Sequence, residues 1–446
     1  MTKIAFIGAG STIFMKNIVG DCLTFLSLNG ATFALMDIDE TRLEESALVA
    51  RKLVAASGQS AQIEATTDRR RALDGADFVV TAFQIGGYRP STVIDFEIPR
   101  AHGLRQTIGD TLGVGGIMRG LRTVPHLWAV AADMAELCPN ALLLQYVNPM
   151  AINTWALAER FPKIRQVGLC HSVQNTVEEI AHDLDLPQDE LRYRVAGVNH
   201  VAFFLEFSHK GHSLYPRLAE GYAAGRLPKA PLHHARCPNK VRYEVMSHLG
   251  YFCTESSEHL AEYVPWFIKN GRDDLIEHFG IPLDEYPKRC EEQMAEWAAQ
   301  ADAYRTASSV SHAKSHEFAA EIINAILTDT PYRAYGNLPN QGQIPQLPQG
   351  AAVETPCLVD AQGLQPTIVT DIPPQLTALM RTQINVQELT VRALVEEDTE
   401  HLVHAAMLDP HTAGELDLRQ IRALITDLLA AHAETLPIWA RPRKAA

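Results

Sequence analysis

The sequence predicts an α/β fold, with a doubly wound, mostly parallel sheet in its first part and an α+β arrangement after it. Short β-rich runs alternate with helical stretches over about the first 190 residues. The first of these runs leads into a glycine-containing turn that opens a helix. After residue 190 the alternation stops, and β-rich runs are followed by helices. Strands that alternate with helices form a parallel sheet through right-handed crossovers, with helices on both faces.

Six strands are predicted in the first part, because each run is apolar, partly β-branched and bounded by turn residues. They cover residues 3–8, 31–36, 62–65, 77–82, 141–147 and 166–169. Apolar residues recur at helical spacing between them. The predicted helices cover residues 11–28, 40–57, 121–138 and 151–160. This order favours a nucleotide-binding domain over residues 1–190.

The second part, residues 191–446, has a mixed pattern that predicts an α+β domain joined to the first without a flexible linker. Residues 191–206 are β-rich, and the Pro- and Gly-rich residues 331–350 are predicted as loops around a short strand. Four further segments combine apolar and polar faces at helical spacing. They cover residues 284–308, 315–328, 384–407 and 417–434.

Composition and charge exclude several classes of function. The 446 residues include 39 Lys+Arg and 53 Asp+Glu, and the formal net charge of −14 disfavours nucleic acids and anionic membranes as partners. No run of about eighteen apolar residues occurs, so we expect no transmembrane helix. The seven cysteines lack paired spacing. This pattern favours reduced thiols and a cytoplasmic location.

The turn after the first predicted strand indicates a dinucleotide site. It has the sequence GAGSTI and opens a helix. Glycines in such a turn let the backbone approach a pyrophosphate, whose charge then faces the amides of the helix N-terminus. We therefore assign Gly8, Gly10, Ser11 and Thr12 to cofactor binding. Ile13 stands where a third glycine is usual, so an ordinary tight turn is the open alternative.

Polar residues also end other predicted strands, and ligands bind outside the carboxyl ends of parallel strands. Asp37 can accept hydrogen bonds from both hydroxyls of an adenosine ribose, which favours NAD over NADP; a helix N-cap is the alternative. Gln84 is expected beside the same crevice as a cofactor contact. Asn148 can bind a sugar hydroxyl, or it can serve as the turn residue before Pro149.

Cys170 follows the last predicted strand of the first part, and His200 lies downstream in the sequence GVNH. A thiolate and an imidazole suit a divalent transition ion, and two protein ligands leave positions open for substrate oxygens. On spacing alone, a buried cysteine and a hydrogen-bonded histidine are the commoner outcome.

Segments along nearly the whole chain resemble glycoside hydrolase family four. They include IAFIGAGSTIF, ALMDIDETRLEES, DFVVTAFQIGGY, QTIGDTLGVGGIMRGLRTVPHLW, YVNPMAINTWA, VGLCHSVQ, GVNHVAF and TESSEHLAEYVPWFIK. The resemblance implies a lactate/malate-dehydrogenase-like fold, bound NAD and Mn²⁺ or another divalent metal. It also implies glycoside hydrolysis by oxidation, elimination, water addition and reduction. The Cys-His-Ser-Val sequence at residues 170–173 resembles the α-galactosidase branch. The substrate implied by this branch is an α-D-galactoside such as melibiose. The family resemblance also implies that the chain forms a homodimer or a homotetramer.

The same resemblance implies roles for single residues. Cys170 and His200 match the metal ligands, and His171 matches the general acid, with packing beside the ligand as its alternative. Asn148 matches a substrate contact. Arg289 matches another, with a surface salt bridge as its alternative.

The base that removes the proton from C2 of the sugar falls, by resemblance, in the region of residues 254–267. Glu258, His259, Tyr263 and the upstream Tyr251 are the candidates, and Tyr263 and His259 are preferred. A tyrosine in this role would need a lowered pKa, for which a neighbouring metal is a physical cause.

Three other functions stay open. The chain could be another α-glycosidase of the family, such as an α-glucosidase or a uronic-acid glycosidase. It could be a lactate/malate-type dehydrogenase, which needs no Cys-plus-His metal site. It could also be a non-catalytic protein that responds to NAD.

Overall fold

A computed structural model describes residues 1–232 and 235–442. Within them, thirteen strands form one mixed sheet. The strands are β1 (Lys3–Ile7), β2 (Thr32–Met36), β3 (Gln62–Thr66), β4 (Phe78–Thr81), β5 (Leu142–Gln145), β6 (Arg165–Gly168), β7 (Leu191–Val198), β8 (Val201–His209), β9 (His212–Ser213), β10 (Phe252–Cys253), β11 (Tyr332–Pro339), β12 (Ala352–Asp360) and β13 (Gly363–Pro366).

Seventeen α-helices lie in the described residues. They are α1 (Thr12–Cys22), α2 (Glu40–Ser57), α3 (Arg69–Leu73), α4 (Val93–Ala101), α5 (Gly113–Leu137), α6 (Met150–Arg160), α7 (Ser172–Leu184), α8 (Tyr215–Ala223), α9 (Lys240–Leu249), α10 (Ser257–Tyr263), α11 (Asp273–Phe279), α12 (Glu285–Thr306), α13 (Ala319–Thr328), α14 (Pro374–Glu396), α15 (Glu400–Leu408), α16 (Pro410–Glu415) and α17 (Leu418–Ala431). None of them is long and apolar enough to cross a bilayer.

The first six strands are parallel and lie in the order β3-β2-β1-β4-β5-β6. This is the strand order of a Rossmann-type fold, in which ligands bind where the order reverses, between β1 and β4. Strands β11, β12, β7, β8 and β10 extend the sheet beyond β6 with antiparallel pairing. The predicted fold class is therefore confirmed. The sheet continues across residue 190, and the division into domains 1–190 and 191–446 stays a prediction.

Two apolar layers cover the two faces of this sheet. One layer is built on α5, α6, α14, α15 and α17, and it includes the buried Leu121 and Trp155. The other layer is built on α1, α2, α7 and α13, and it includes the buried Phe33 and Ile180. Because helices cover both faces, ligands can approach the parallel strands only at their ends.

Helix α5 begins at Gly113, eight residues before the predicted start at residue 121. A Cβ on Gly115 would lie 2.0 Å from the carbonyl oxygen of Gly109, and a Cβ on Gly116 would lie 2.5 Å from that of Thr111. The glycines let the start of the helix lie directly on the preceding loop. They resemble loop residues in the sequence because glycine disfavours helices in isolation.

Three other predicted helices also differ from the structure. Predicted helix 384–407 is two helices, broken at Glu397, whose φ is +58°. Predicted helix 11–28 ends at Cys22, before a short 3₁₀ turn. Predicted helix 315–328 begins at Ala319, because Asp21 accepts the backbone hydrogen bond of Ser315 and holds that residue outside the helix. Apolar periodicity continues through such breaks and does not reveal them.

Candidate active site

The glycine turn lies at the carboxyl end of β1. Gly8 has a φ of +93°, and a Cβ there would lie 2.4 Å from the carbonyl oxygen of Ala82 at the end of β4. A Cβ on Gly10 would lie 2.6 Å from a carboxylate oxygen of Asp37. Only glycine fits either position, because the turn packs directly against the ends of β4 and β2, as the tight turn of a dinucleotide site requires.

Asp37 supports the same turn from the end of β2. Its carboxylate accepts the Gly10 amide at 2.7 Å and the Asp39 amide at 3.0 Å. The N-cap of α2 is Asp39, whose side chain accepts the Arg42 amide, so the alternative role of Asp37 as an N-cap is wrong. Each carboxylate oxygen can accept more than one hydrogen bond, and ribose hydroxyls remain suitable donors to Asp37.

The other predicted cofactor residues differ in how they face the crevice. Ser11 is exposed at the N-cap of α1 and makes no side-chain cap, so the first amides of this 11-residue helix are left for a ligand. Thr12 is buried, and its hydroxyl bonds to Ser46 at 2.7 Å, which leaves its backbone as its available contact. The Gln84 amide donates to Thr92 at 2.8 Å within its own loop. Ile13 is 47% exposed, so no third glycine is needed for close packing there.

Cys170 and His200 come together as the predicted metal pair. Cys170 follows β6, and His200 lies in the turn between β7 and β8, where its φ of +67° is rare for a residue with a side chain. Cys170 Sγ is 3.8 Å from His200 Nε2. A cation with bonds of about 2.3 Å to sulfur and about 2.1 Å to nitrogen would hold these atoms roughly 3.1 Å apart in an octahedral shell and roughly 3.6 Å apart in a tetrahedral one. The pair therefore fits a shared divalent cation.

Burial sets the protonation of this pair. It raises the pKa of the Cys170 thiol, and the Glu255 and Glu354 carboxylates raise it further. It lowers the pKa of His200, which favours the neutral imidazole that a metal requires. His200 Nδ1 shares a hydrogen bond of 2.9 Å with the Tyr263 hydroxyl, and this bond fixes the ring orientation.

Glu255 lies against both histidines of the site, and the sequence did not single it out. Its Oε2 is 3.1 Å from His200 Nε2, and its Oε1 is 3.5 Å from His259 Nδ1. Burial acts to raise the pKa of Glu255, but His200 and His259 outweigh it and lower the pKa to about 2. A carboxylate thus stays charged beside the metal pair.

The four candidate bases separate clearly by environment. Tyr263 is fully buried, and its hydroxyl is bonded to His200. Burial raises its pKa well above the ordinary value, and the charge of Glu262 adds to this effect. Tyr251 packs its ring on Tyr215, at a centroid distance of 5.6 Å. The Tyr263 hydroxyl is thus engaged by a residue of the metal pair, and the Tyr251 ring by an aromatic neighbour.

The two remaining candidates are Glu258 and His259. Glu258 is buried and accepts the Cys237 thiol at 3.2 Å, with Arg289 at 3.6 Å. His259 is only partly buried, and its ring centroid is 5.2 Å from that of His200. Ser256 Oγ, at 2.6 Å, bonds to its Nδ1. His259 lies next to the metal pair, and its side chain, like that of Glu255, is 12% exposed.

Asp110 is a second residue that the sequence did not single out. It lies in the loop before α5 and is buried, and its Oδ2 accepts the Asn148 amide at 3.3 Å. The same oxygen accepts Arg119 at 3.3 Å, and Arg119 also contacts the Tyr286 hydroxyl at 3.3 Å. Asn148 therefore faces a polar cluster, as expected of a sugar contact, and is not only a turn residue.

Arg289 and His171 each pair with a largely buried carboxylate. Arg289 lies 2.8 Å from Glu285 and 3.6 Å from Glu258, so a surface salt bridge is not what the structure has. His171 Nδ1 is 3.6 Å from Glu317 Oε1, and its side chain is 54% exposed. The hydrogen bond and the charge of the Glu317 carboxylate raise the pKa of His171.

Glu262 holds the loop that carries Asp110. Its carboxylate accepts three backbone amides, from Thr107 at 2.8 Å, Ile108 at 3.2 Å and Gly109 at 2.8 Å. We expect Glu262→Gln to lower the free energy of unfolding by about 1–3 kcal/mol, because the new NH₂ would face backbone N–H donors. Urea denaturation would measure this change. The exposed Glu277→Gln is the control, and equal midpoints for the two variants would contradict the expectation.

Glu354 is fully buried in β12, and neither of its carboxylate oxygens has a hydrogen-bond partner among the described residues. Burial, with the charge of Glu255, raises its pKa from 4.5 to about 8. Between these values the folded chain holds a proton that the unfolded chain has lost. Its stability therefore falls as the pH rises, by at most about 1.4 kcal/mol per pH unit.

We expect Glu354→Gln to be more stable than the natural protein above about pH 8 and to lose this advantage as the pH falls toward about 4.5. Urea denaturation at several pH values, in the presence of EDTA, would measure the difference. If the difference in the free energy of unfolding between Glu354→Gln and the natural protein stays constant across this range, the raised pKa of Glu354 is wrong. Glu277→Gln again serves as the exposed control.

Comparison with known proteins identifies the family. The model of family 4 glycosyl hydrolases matches residues 3–186, and that of their C-terminal domain matches residues 195–412. The chain belongs to glycosyl hydrolase family 4. This family 4 chain is 46% identical over 437 residues to the α-galactosidase of Bacillus subtilis strain 168, and the match covers 98% of this chain and 99% of that protein.

Two solved structures show how far the fold of this family 4 enzyme is shared. A 6-phospho-β-glucosidase of Thermotoga maritima, solved with manganese, NAD⁺ and glucose-6-phosphate, matches with a TM-score of 0.79 and 21% identity, over 98% of this chain and 99% of that one. A lactate dehydrogenase of Cryptosporidium parvum matches with a TM-score of 0.54 and 16% identity, over 88% and 98%. The predicted dehydrogenase-like fold is thus confirmed.

Proposed function

We propose that this family 4 glycosyl hydrolase is an α-galactosidase that acts on α-D-galactosides such as melibiose, with NAD and a divalent cation, expected to be Mn²⁺. One observation carries the mechanism: Cys170 and His200 place ligand atoms 3.8 Å apart at the strand edge that also bears the glycine turn. The reaction of a lactate-type dehydrogenase needs no cation bound by a cysteine and a histidine. The substrate follows from the likeness to the Bacillus subtilis α-galactosidase.

The chain offers a distinct set of residues to each group. Gly8, Gly10, Ser11 and Asp37 would hold the dinucleotide, and the exposed Ile38 offers an apolar contact beside them. Cys170 and His200 would hold the cation. When bound, NAD supplies a reversible hydride acceptor for C3 of the sugar, and the cation supplies positive charge beside the acidified C2 position. This chemistry differs from the two-carboxylate mechanism of most glycosidases.

His259 is proposed as the base that takes the proton from C2. Its ring centroid lies 5.2 Å from that of His200, and an imidazole is the side chain that most often serves as a general base. Tyr263 instead orients His200 through the 2.9 Å hydrogen bond to Nδ1. A fully buried phenol is a good partner for the outer nitrogen of a metal-bound imidazole.

His171 is proposed as the acid that gives a proton to the departing glycosidic oxygen. Its ion pair with Glu317 raises its pKa, which keeps the imidazolium available near neutral pH. The oxygen leaves from C1 as the elimination proceeds. Water then adds with its hydroxyl at C1, and His259 returns a proton to C2. Because bound NAD would supply a hydride acceptor and donor for C3 within one cycle, no net oxidation or reduction would occur.

Polar side chains on the other side of the crevice are proposed to bind the remaining sugar hydroxyls. Asn148 can donate and accept, and the Asp110 carboxylate can accept from a hydroxyl while it stays bonded to Arg119. Arg289 can donate to a ring hydroxyl from α12.

Location and assembly extend the proposal. All seven cysteines are free, which suits a reducing cytoplasm.

Among the described residues, the 22-residue α12 buries only Glu285 and Ala301 and leaves Met294 51% exposed. A helix with so little burial suits coverage by a second subunit in a homodimer or homotetramer. Sedimentation of the purified protein would measure the oligomeric state.

One assay tests the proposed function. Purified protein is given nitrophenyl α-galactoside with NAD⁺, Mn²⁺ and a reducing agent, and the assay is repeated without NAD⁺ and with EDTA. We expect nitrophenol release that needs both NAD⁺ and metal, without accumulation of NADH. Stoichiometric formation of NADH would favour a dehydrogenase. Faster release from α-glucosides or uronides would favour another specificity within the family. No release from any glycoside would favour a binding protein.

A further inference from the structure

A third potential ligand lies beside the cysteine and histidine of the cation site. The ligand atoms of Cys170, His200 and Glu255 all lie within 4.8 Å of one another. No other such group of three His, Cys, Asp or Glu side chains occurs within residues 1–232 and 235–442. The family resemblance pointed only to the cysteine and the histidine.

The backbone places Glu255 at this position independently of its side chain. β10, which ends two residues before Glu255, pairs with β8, the strand that follows His200. The Thr254 amide donates to Ala202 at 2.9 Å, and the Cys253 thiol contacts the His200 carbonyl at 3.7 Å. The carboxylate is therefore tied to the same strand pair that presents the imidazole.

The basic side chains that pair with Glu255 among the described residues are histidines, and no lysine or arginine pairs with it there. Its ion-pair contacts among the described residues are with His200 and His259, and its side chain is only 12% exposed. A largely buried carboxylate in this setting calls for a cation.

The spacing also suits coordination. Glu255 Oε2 and His200 Nε2 lie 3.1 Å apart. In an octahedral shell with bonds of about 2.1 Å, neighbouring donor atoms lie roughly 3 Å apart. The distance between Glu255 Oε2 and His200 Nε2 therefore fits two ligand atoms of one cation as well as it fits a hydrogen bond.

We propose that Glu255 is a third protein ligand of the divalent cation, so that the site is a Cys-His-Glu set with positions left for sugar oxygens. The inference rests on the cation of the proposed function. One thiolate and one carboxylate neutralise a divalent charge, and the thiol releases its proton when the cation binds. The carboxylate adds a hard oxygen ligand of the kind that Mn²⁺ prefers.

Binding of Mn²⁺ to the metal-stripped, full-length protein tests this assignment. Free Mn²⁺ is measured by its EPR signal during titration, in a reducing buffer. Glu255→Gln is isosteric, and we expect it to lower the Mn²⁺ affinity by more than about 100-fold, since even residues that only support a ligand are worth 10–100-fold. Glu206→Gln, an exposed change on β8, is the matched control and should bind as the natural protein does.

Two further variants keep the outcomes distinct. Glu255→Asp retains the charge and should recover part of the affinity that Glu255→Gln loses, while Cys170→Ser should lose it. In the Co²⁺-loaded protein, the thiolate-to-cobalt absorption should persist in Glu255→Gln and vanish in Cys170→Ser. Unchanged Mn²⁺ affinity in Glu255→Gln, or no recovery in Glu255→Asp, would overturn the third ligand. No Mn²⁺ binding by the natural protein would instead overturn the cation of the proposed function.

Discussion

Cys170→Ser is expected to lower the α-galactosidase kcat by at least about 100–1000-fold, the rate equivalent of the several kcal/mol that a Lewis acid supplies. A serine hydroxyl does not ionise to hold a divalent cation, whereas a thiol does. Hydrolysis of nitrophenyl α-galactoside at saturating NAD⁺, over a range of Mn²⁺ concentrations, measures the loss. Thermal unfolding should change little, because serine has nearly the volume of cysteine.

Cys138→Ser is the matched control for this experiment. Cys138 is buried and Cys170 is partly buried; Cys138 precedes the amino end of β5, whereas Cys170 follows the carboxyl end of the adjacent parallel strand β6. We expect Cys138→Ser to keep its activity and its dependence on Mn²⁺. Full activity in Cys170→Ser would remove the thiol from the cation site and leave the dehydrogenase-like fold without its proposed chemistry.

His259→Asn is expected to lower kcat by about 10²–10⁴-fold, the usual contribution of a general base. The isotope effect from deuterium at C2 should increase, because proton removal becomes the slow step. Mn²⁺ binding should be largely kept, since His259 lies outside the Cys170–His200 pair. Steady-state rates with C2-deuterated and ordinary substrate measure both effects.

Tyr263→Phe separates the two preferred bases. It removes the hydroxyl that bonds to His200 Nδ1 at 2.9 Å. We expect a 10–100-fold loss of Mn²⁺ affinity, with most of the activity restored at saturating Mn²⁺. If instead Tyr263→Phe at saturating Mn²⁺ loses as much kcat as His259→Asn, the phenol is the base and the assignment of His259 is wrong.

The parallel half of the fold could be predicted from local patterns. All six predicted strands of the first part occur, with ends shifted by at most two residues. The helix of residues 40–57 has the predicted ends, with Asp39 as its N-cap. Helix α5 was placed too late because Gly115 and Gly116 support the helix only through close contact with the preceding loop. That contact is tertiary and leaves no periodic signal.

Part of the candidate site could likewise be predicted from the sequence, and part of it could not. The glycine turn, Asp37, Cys170 and His200 stand out in the sequence because they follow strands or match family motifs. Motifs of this kind depend on residues close together in the chain. The choice among four bases could not be made from them, because it depends on the neighbours that each side chain has in the folded chain.

The sequence by itself determined the glycine turn and a thiol and an imidazole suited to one cation. Only the tertiary structure decided that Glu255 lies 3.1 Å from His200 and that Asp110 lies 3.3 Å from Asn148. Glu255 reaches the imidazole because β10 pairs with β8, and Asp110 reaches Asn148 because Glu262 holds its loop. The role of a carboxylate depends on the atoms within 3–4 Å of it, and long-range strand pairing brings those atoms there.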